Sequence, residues 1–410
     1  MKNIFFSAAL FIAATAACIA HIAARTEERA TNEVCALIRD NYFRQDQSDV
    51  RDFLSHCESD SVPFTFRRLK AVDHINGKLS RIHSSHLNVF LPEENRSLWE
   101  NEGSDTGLRA RMIESEVVVI STLEGSPARK AQLKSGDVII AINGERPTSA
   151  QDAQTTAGEY KIARGKRFFL TDLKLEYLKE DLGPKILPMA GDRALLTIPS
   201  FLPGYFEKDS WLTLSKQLTL FRKLVIDLRG NAGGSFPAML RALSPFRCDD
   251  TSIGRIWRTP RPGRRAPQSL QDDLDTDAQL QQVMASDEVN LKTFEKTYGC
   301  FAGQVTVLID SNTSSVSEIF ADALLRRSRS RVWGSLSAGR VVMAQWFSIS
   351  SLGAGDYAMS IPIAGYRASD GAEIEHDGVR PERELHYDLA SALDGKDSWV
   401  TEGLEQHVSK

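Results

Sequence analysis

Two segments of the chain carry residue types and spacings that could do chemistry. In the first, an apolar run at 224–228 ends in Arg229-Gly230-Asn231-Ala232-Gly233-Gly234. Glycines directly after a buried strand leave backbone N–H groups facing a cleft, which suits a bound anion or the oxyanion of an acyl transfer. A plain tight turn would use the same residues. In the second, the apolar run 305–309 leads into Thr313-Ser314-Ser315-Val316-Ser317-Glu318. A serine-rich turn is thus delivered to a helix start, where free amides and the helix dipole stabilise developing negative charge. A serine N-cap is the plain alternative. A serine hydroxyl used as a nucleophile also needs a base.

The elements that must position these turns alternate. From residue 184 onward the pattern reads as strand 194–198, helix 210–220, strand 224–228, helix 237–243, strand 305–309, helix 317–325, then strands 332–334 and 344–349. This succession predicts an α/β core with a partly parallel sheet. Reacting groups in such sheets sit where strands end and helices begin. Upstream, Val34, Leu37, Ile38 and Tyr42, then Leu69, Val72, Ile75 and Leu79, follow helical spacing. A short β-type run at 86–91 precedes Pro92, and the polar stretch 93–105 marks a boundary.

Residues 106–182 read as a separate, β-rich unit. It holds a strand at 117–120, Ser126 as N-cap with Pro127 at the first helical position, a Gly136-Asp137 turn and a strand at 138–142. A tight Asn143-Gly144 turn follows, and a closing strand at 168–178. The ordered run from Gly125-Ser126-Pro127-Ala128 to Ile142-Asn143-Gly144 resembles the PDZ domain of bacterial protease-associated proteins. PDZ domains bind extended peptides, often a free C-terminus, by adding a strand to a sheet edge.

With the glycine and serine turns, the chain resembles the carboxyl-terminal processing, or tail-specific, protease family and its relative, the tricorn protease core. The likeness covers residues 30 to 390. It implies an α/β protease core of the ClpP/crotonase-like kind, with an N-terminal helical region and the PDZ domain inserted. It also implies Ser315 as nucleophile, with an oxyanion hole made by Gly233 or Gly234 and the amide of Val316. At the position of the tail-specific branch's lysine base, this chain has Arg340, in Ser337-Ala338-Gly339-Arg340. Arginine stays protonated and cannot act as a base. The tricorn-like branch uses a His preceded by Ser, and a Glu near the C-terminal end. Here these correspond to Ser85, His86 and Glu375, with His83 and Glu373 as neighbouring alternatives. His86 would take the proton of Ser315, with Ser85 and Glu375 orienting it. Arg340 would bind a substrate carboxylate or a structural one.

Composition is that of an ordinary globular protein. The chain has 410 residues, 42 % hydrophobic and 25 % charged, with a formal net charge of −4. This excludes a disordered or fibrous chain and gives no pull towards nucleic acid. No cofactor or metal site is expected, since no CxxC or Cys/His cluster is present. Lys2 followed by the apolar run 4–24 reads as a secretory leader, or as a membrane anchor if uncleaved. A periplasmic or secreted location follows. Removal of the leader leaves Cys35, Cys57, Cys248 and Cys300, whose separations favour the pairs Cys35–Cys57 and Cys248–Cys300. Arg255, Arg258, Arg261, Arg264 and Arg265, followed by Asp272, Asp273, Asp275 and Asp277, read as a solvated insertion.

The expected organisation is a leader at 1–24, a helical region at 25–105, the PDZ domain at 106–182, the catalytic core at 183–395 and a tail at 396–410. The expected function is a serine endopeptidase of exported proteins or peptides, with PDZ-assisted docking. The alternative is an inactive peptide- or hydrophobic-ligand-binding protein on the same scaffold, as the interphotoreceptor retinoid-binding protein exemplifies.

Overall fold

The computed structural model describes residues 28–57, 68–247, 252–260, 263, 268–269, 276–293, 295–353 and 355–405. The expected leader, Cys248, Arg261, Arg264, Arg265, Asp272, Asp273 and Asp275 lie outside the described residues. The chain folds as two units, each drawing on several stretches of sequence.

The first unit comprises residues up to 95, with 254–291 and 340–375. The helical spacing seen in the sequence becomes one buried face: Val34 and Ile38 from the helix at 28–41 with Tyr42 just after it, Val50 and Phe53 from Ser48–His56, and Val72, Ile75 and Leu79 from Arg68–Leu79. Cys35 and Cys57 join the first two helices by a disulfide, with Cα atoms 6.0 Å apart. These helices share a core with Val89, Met359 and Ile361. Those residues belong to an antiparallel arrangement in which the long strand Ala358–Ala368 pairs with Asn88–Phe90, Gly254–Trp257 and Met343–Ser348. Arg258 is buried, with its Nη1 donating to Met284 O, while Arg255 faces Glu288 at 3.6 Å.

The second unit comprises 96–253, 292–339 and 376–410. Its sheet runs Arg383–Glu384, Ser330–Gly334, Gln304–Ile309, Lys223–Asp227, Arg193–Thr197 and Lys185–Met189. All neighbours are parallel except the last pair. The apolar stretches 224–226 and 305–309 are buried, as expected of strands covered on both faces. The stretch 396–410, read from the sequence as a tail, instead carries the helix Ser398–Glu405, whose Trp399, Val400 and Leu404 pack on Val225 and Leu308. A terminal segment with three large apolar residues at helical spacing gains more from burial than from solvation.

The PDZ portion is a five-stranded antiparallel sheet, ordered Leu108–Ile113, Glu116–Thr122, Val138–Ile142, Gly158–Arg164, Arg167–Leu173. Ser126 accepts a hydrogen bond from Arg129 N–H and caps Pro127–Lys130. Asn143 and Gly144 both have positive φ, 53° and 85°, as a two-residue hairpin turn of the mirror-image type requires. The closing strand expected at 168–178 is broken: Arg167–Leu173 ends, and Glu176–Lys179 pairs with Glu102–Asp105. The polar stretch after Pro92 is a helix, Pro92–Glu100, with proline at its start and no buried residue.

Candidate active site

In the second unit the two turns meet. Ser315 closes the loop after Gln304–Ile309 and precedes the helix Val316–Leu325 with φ 62° and ψ −132°. A non-glycine residue in this region is strained, and such strain persists only where its surroundings hold it. Here the holding is dense. Asn231 is fully buried, and its Nδ2 donates to Ile198 O at 2.8 Å. Its Oδ1 accepts from Ser317 Oγ at 2.7 Å and from Gly233 N–H at 2.9 Å. Ser314 N–H donates to Asn231 O at 3.0 Å, and Thr313 Oγ1 to Leu228 O at 2.9 Å. The glycine turn and the serine turn are therefore one hydrogen-bonded body.

The glycines have separate jobs. A Cβ on Gly233 would stand 2.6 Å from Ser315 Cβ, and one on Gly234 2.4 Å from Phe201 O. Phe201 N–H donates to Gly233 O and Ser235 N–H to Phe201 O, both at 2.8 Å. This short parallel bridge leaves the Gly234 N–H pointing away from Phe201. Among the described residues, neither Gly234 N–H nor Val316 N–H donates to a protein acceptor. Gly233 N–H is already engaged by Asn231.

Arg229 anchors the turn from below. Its guanidinium is 3 % exposed and bonds Asp227 at 2.6 Å and Asp397 at 2.7 Å. Burial opposes its charge, but the two carboxylates outweigh that and raise its pKa well above the ordinary value. Trp399 and Tyr387, stacked with centroids 4.1 Å apart, lie against the same guanidinium.

The first unit holds Ser85, His86, Arg340 and Glu375. Ser85 Oγ lies 3.0 Å from His86 Nδ1, and His86 has φ 59°. Ser360 Oγ donates to His86 O at 2.7 Å. Glu375 accepts from Ser85 N–H at 3.3 Å through Oε1, and from Val341 and Val342 N–H at 2.6 and 3.2 Å through Oε2. One carboxylate thus gathers the Ser85-His86 loop and the segment directly after Arg340. Burial pushes His86 below the usual imidazole pKa; Glu375 pulls it up and Arg340 presses it further down.

The neighbouring alternatives have other partners. His83 is exposed and contacts Asp49, whose carboxylate also accepts the His83 N–H at 2.9 Å. Glu373 pairs with Arg44 at 2.7 Å and Arg367 at 2.8 Å. Cys300 is disulfide-bonded. Among the described residues no group of three or more His, Cys, Asp or Glu is placed to hold a metal ion.

In the sequence Asn231 is one member of the glycine turn, and Ser317 and Glu318 fit the start of a helix. The asparagine's place inside the glycine turn was the available signal. Nothing local marks that Glu318 is fully buried.

Residues 192–385 match the profile of peptidase family S41, and residues 104–166 that of a PDZ domain. The carboxy-terminal-processing protease of Bartonella bacilliformis is 23 % identical over 424 aligned positions, covering 99 % of this chain and 88 % of that protein. The solved photosystem II D1 C-terminal processing protease superposes with a TM-score of 0.51 at 19 % identity, covering 88 % and 93 % of the two chains. The tricorn protease superposes with a TM-score of 0.50 at 17 % identity, covering 93 % of this chain and 36 % of that one. At such identities the structural likeness establishes the fold. The class is a serine-type peptidase carrying a PDZ domain. Residues 192–385 form a domain of the peptidase S41 type.

Proposed function

We propose that the protein is an endopeptidase of exported proteins or peptides that uses Ser315 as nucleophile and His86, not a lysine, as base. The observation that carries this reading is the state of the Ser315 turn. A strained serine heads a buried helix, and two amides beside it, of Gly234 and Val316, have no protein acceptor among the described residues. We assign the oxyanion hole to that pair and leave Gly233 to the scaffold.

In this mechanism Ser315 Oγ attacks the scissile carbonyl and gives its proton to His86 Nε2. Ser85 Oγ holds the imidazole by its Nδ1 side, and Glu375 holds the Ser85 backbone N–H. The oxyanion is stabilised by Gly234 and Val316 N–H. His86 then returns the proton to the departing amine, and water releases the acyl group by the same route. Arg340 cannot replace His86, because its guanidinium does not deprotonate; it fits a substrate carboxylate better. The strand Leu108–Ile113 is an edge of the PDZ sheet with the helix Ala150–Thr155 packed against it, which suits an extended peptide added at that edge. The Cys35–Cys57 disulfide and the leader-like start support an oxidising, extracytoplasmic location.

A fluorophosphonate probe tests the assignment: labelling maps to Ser315, and His86→Ala abolishes it while Arg340→Ala retains it. The reverse pattern refutes the His-based set. One observation, the arginine at the lysine position, favours a second reading as an inactive binding protein. Absent labelling and absent casein cleavage, with peptide binding retained, would select it.

A further inference from the structure

We infer that Glu318 is a positioning residue for Ser315, holding the nucleophile's backbone and the loop 337–339 in one grip; this rests on Ser315 being the nucleophile. Glu318 is fully buried. Its Oε2 accepts from Ser315 N–H at 3.0 Å. Its Oε1 accepts from Ser337 Oγ at 2.6 Å and Gly339 N–H at 2.7 Å. Ser337 Oγ in turn accepts from Val379 N–H at 2.7 Å.

A helix-capping glutamate normally reaches back from an exposed first turn to a single amide. Glu318 does more. Its own N–H donates to Ser315 O at 2.9 Å while its carboxylate takes the Ser315 N–H. The strained φ of 62° is therefore fixed from both peptide groups by one residue. The other carboxylate oxygen ties that grip to a loop distant in sequence. A buried carboxylate near a developing oxyanion would oppose catalysis if it faced the reacting atoms. Its position on the Ser315 N–H, with Val316 N–H left for the substrate, reconciles its charge with the chemistry.

The donors around Glu318 make the isosteric amide informative. Ser315 and Gly339 present N–H groups, which cannot turn round to accept; only the Ser337 hydroxyl can. In Glu318→Gln the amide NH2 must face one of those N–H groups. The arrangement that keeps the loop loses the Ser315 contact.

The test is the inactivation kinetics of the full chain with a fluorophosphonate. For Glu318→Gln we expect kinact to fall about 10- to 100-fold with KI within about twofold, since a small displacement of a reacting group costs that much. Ser337→Ala, which leaves the Ser315 N–H bond in place, should lose less than about fivefold. Wild-type kinact in Glu318→Gln, or equal losses in both variants, overturns the inference. Should Glu318→Gln not fold, Glu318→Asp decides. It keeps the charge but is too short for both sides, and a wild-type kinact there also overturns it. Failure of the wild-type chain to label at Ser315 removes the nucleophile reading itself, and this inference with it.

Discussion

Gly233 packs directly against Ser315: a Cβ on the glycine would stand 2.6 Å from the serine Cβ and 3.0 Å from its Oγ. The absence of a side chain at residue 233 is thus a condition for the serine's position. The φ of 105° at Gly233 adds a conformational demand that L-residues resist. Gly233→Ala should therefore reduce labelling of Ser315 by about 100-fold or more, given the sensitivity of reacting groups to small displacements. Mass spectrometry of the labelled peptide reads this directly.

The pH profile should report His86. With the neutral imidazole as the proposed base, activity rises with pH as His86 loses its proton. Burial first, and Arg340 next, hold that pKa below the ordinary value of 6.5, against the upward pull of Glu375. The acid limb of kcat/KM should accordingly lie below that of a free histidine. Arg340→Ala removes one downward influence, so its acid limb should move to higher pH. A limb that stays put or moves down would contradict the placement of this charge.

His83→Ala and Glu373→Gln should leave peptidase activity within about threefold of wild type. Their partners are Asp49, Arg44 and Arg367, away from the Ser85-His86 pair. These half-exposed pairs contribute little to stability. Glu375→Gln, by contrast, weakens acceptance from Ser85, Val341 and Val342 N–H and should lower kcat more than it raises KM. Steady-state kinetics on one peptide substrate separates the variants.

Arg229→Ala should destabilise the second unit by about 3 kcal/mol or more, because it leaves the carboxylates of Asp227 and Asp397 without their shared cation. Urea unfolding followed by Trp fluorescence measures it, and Trp399 lies against the guanidinium itself.

Reduction of Cys35–Cys57, which are 22 residues apart, should cost about 3 kcal/mol in the chain-entropy description. The helix Ser48–His56 carries Asp49, whose carboxylate holds the His83 N–H three residues before His86. Loosening that helix should also slow catalysis. Thermal melting and turnover with and without reductant give the two readouts.

Much of this protein was legible locally. The strand-to-turn segments at 224–234 and 305–318 are short-range features, and glycine and serine announce their backbone demands wherever they occur. Ser126, Pro127, Asn143 and Gly144 take the capping and turn roles their types prescribe. The helical spacing of Val34, Ile38 and Tyr42 becomes the buried face it implies.

Other features depended on which partners the folded chain brings together. Glu373 and Glu375 are alike in type and neighbourhood; Glu375 meets Ser85 across 290 positions, whereas Glu373 meets Arg44. Gly233 and Gly234 are adjacent and identical, yet Asn231 takes one amide and the Phe201 bridge turns the other outward. Segments 254–291 and 340–375 fold with the N-terminal helices, because Ala358–Ala368 pairs with Asn88–Phe90 and Gly254–Trp257. By itself the sequence determined which residue types end the strands and cap the helices, and that residue 340 is an arginine, which cannot act as a base, since these follow from the chemistry of each residue and its near neighbours. The tertiary structure decided which of several like groups is engaged and which is left free. A hydrogen bond between distant residues exists only once the folded backbone brings donor and acceptor within about 3 Å.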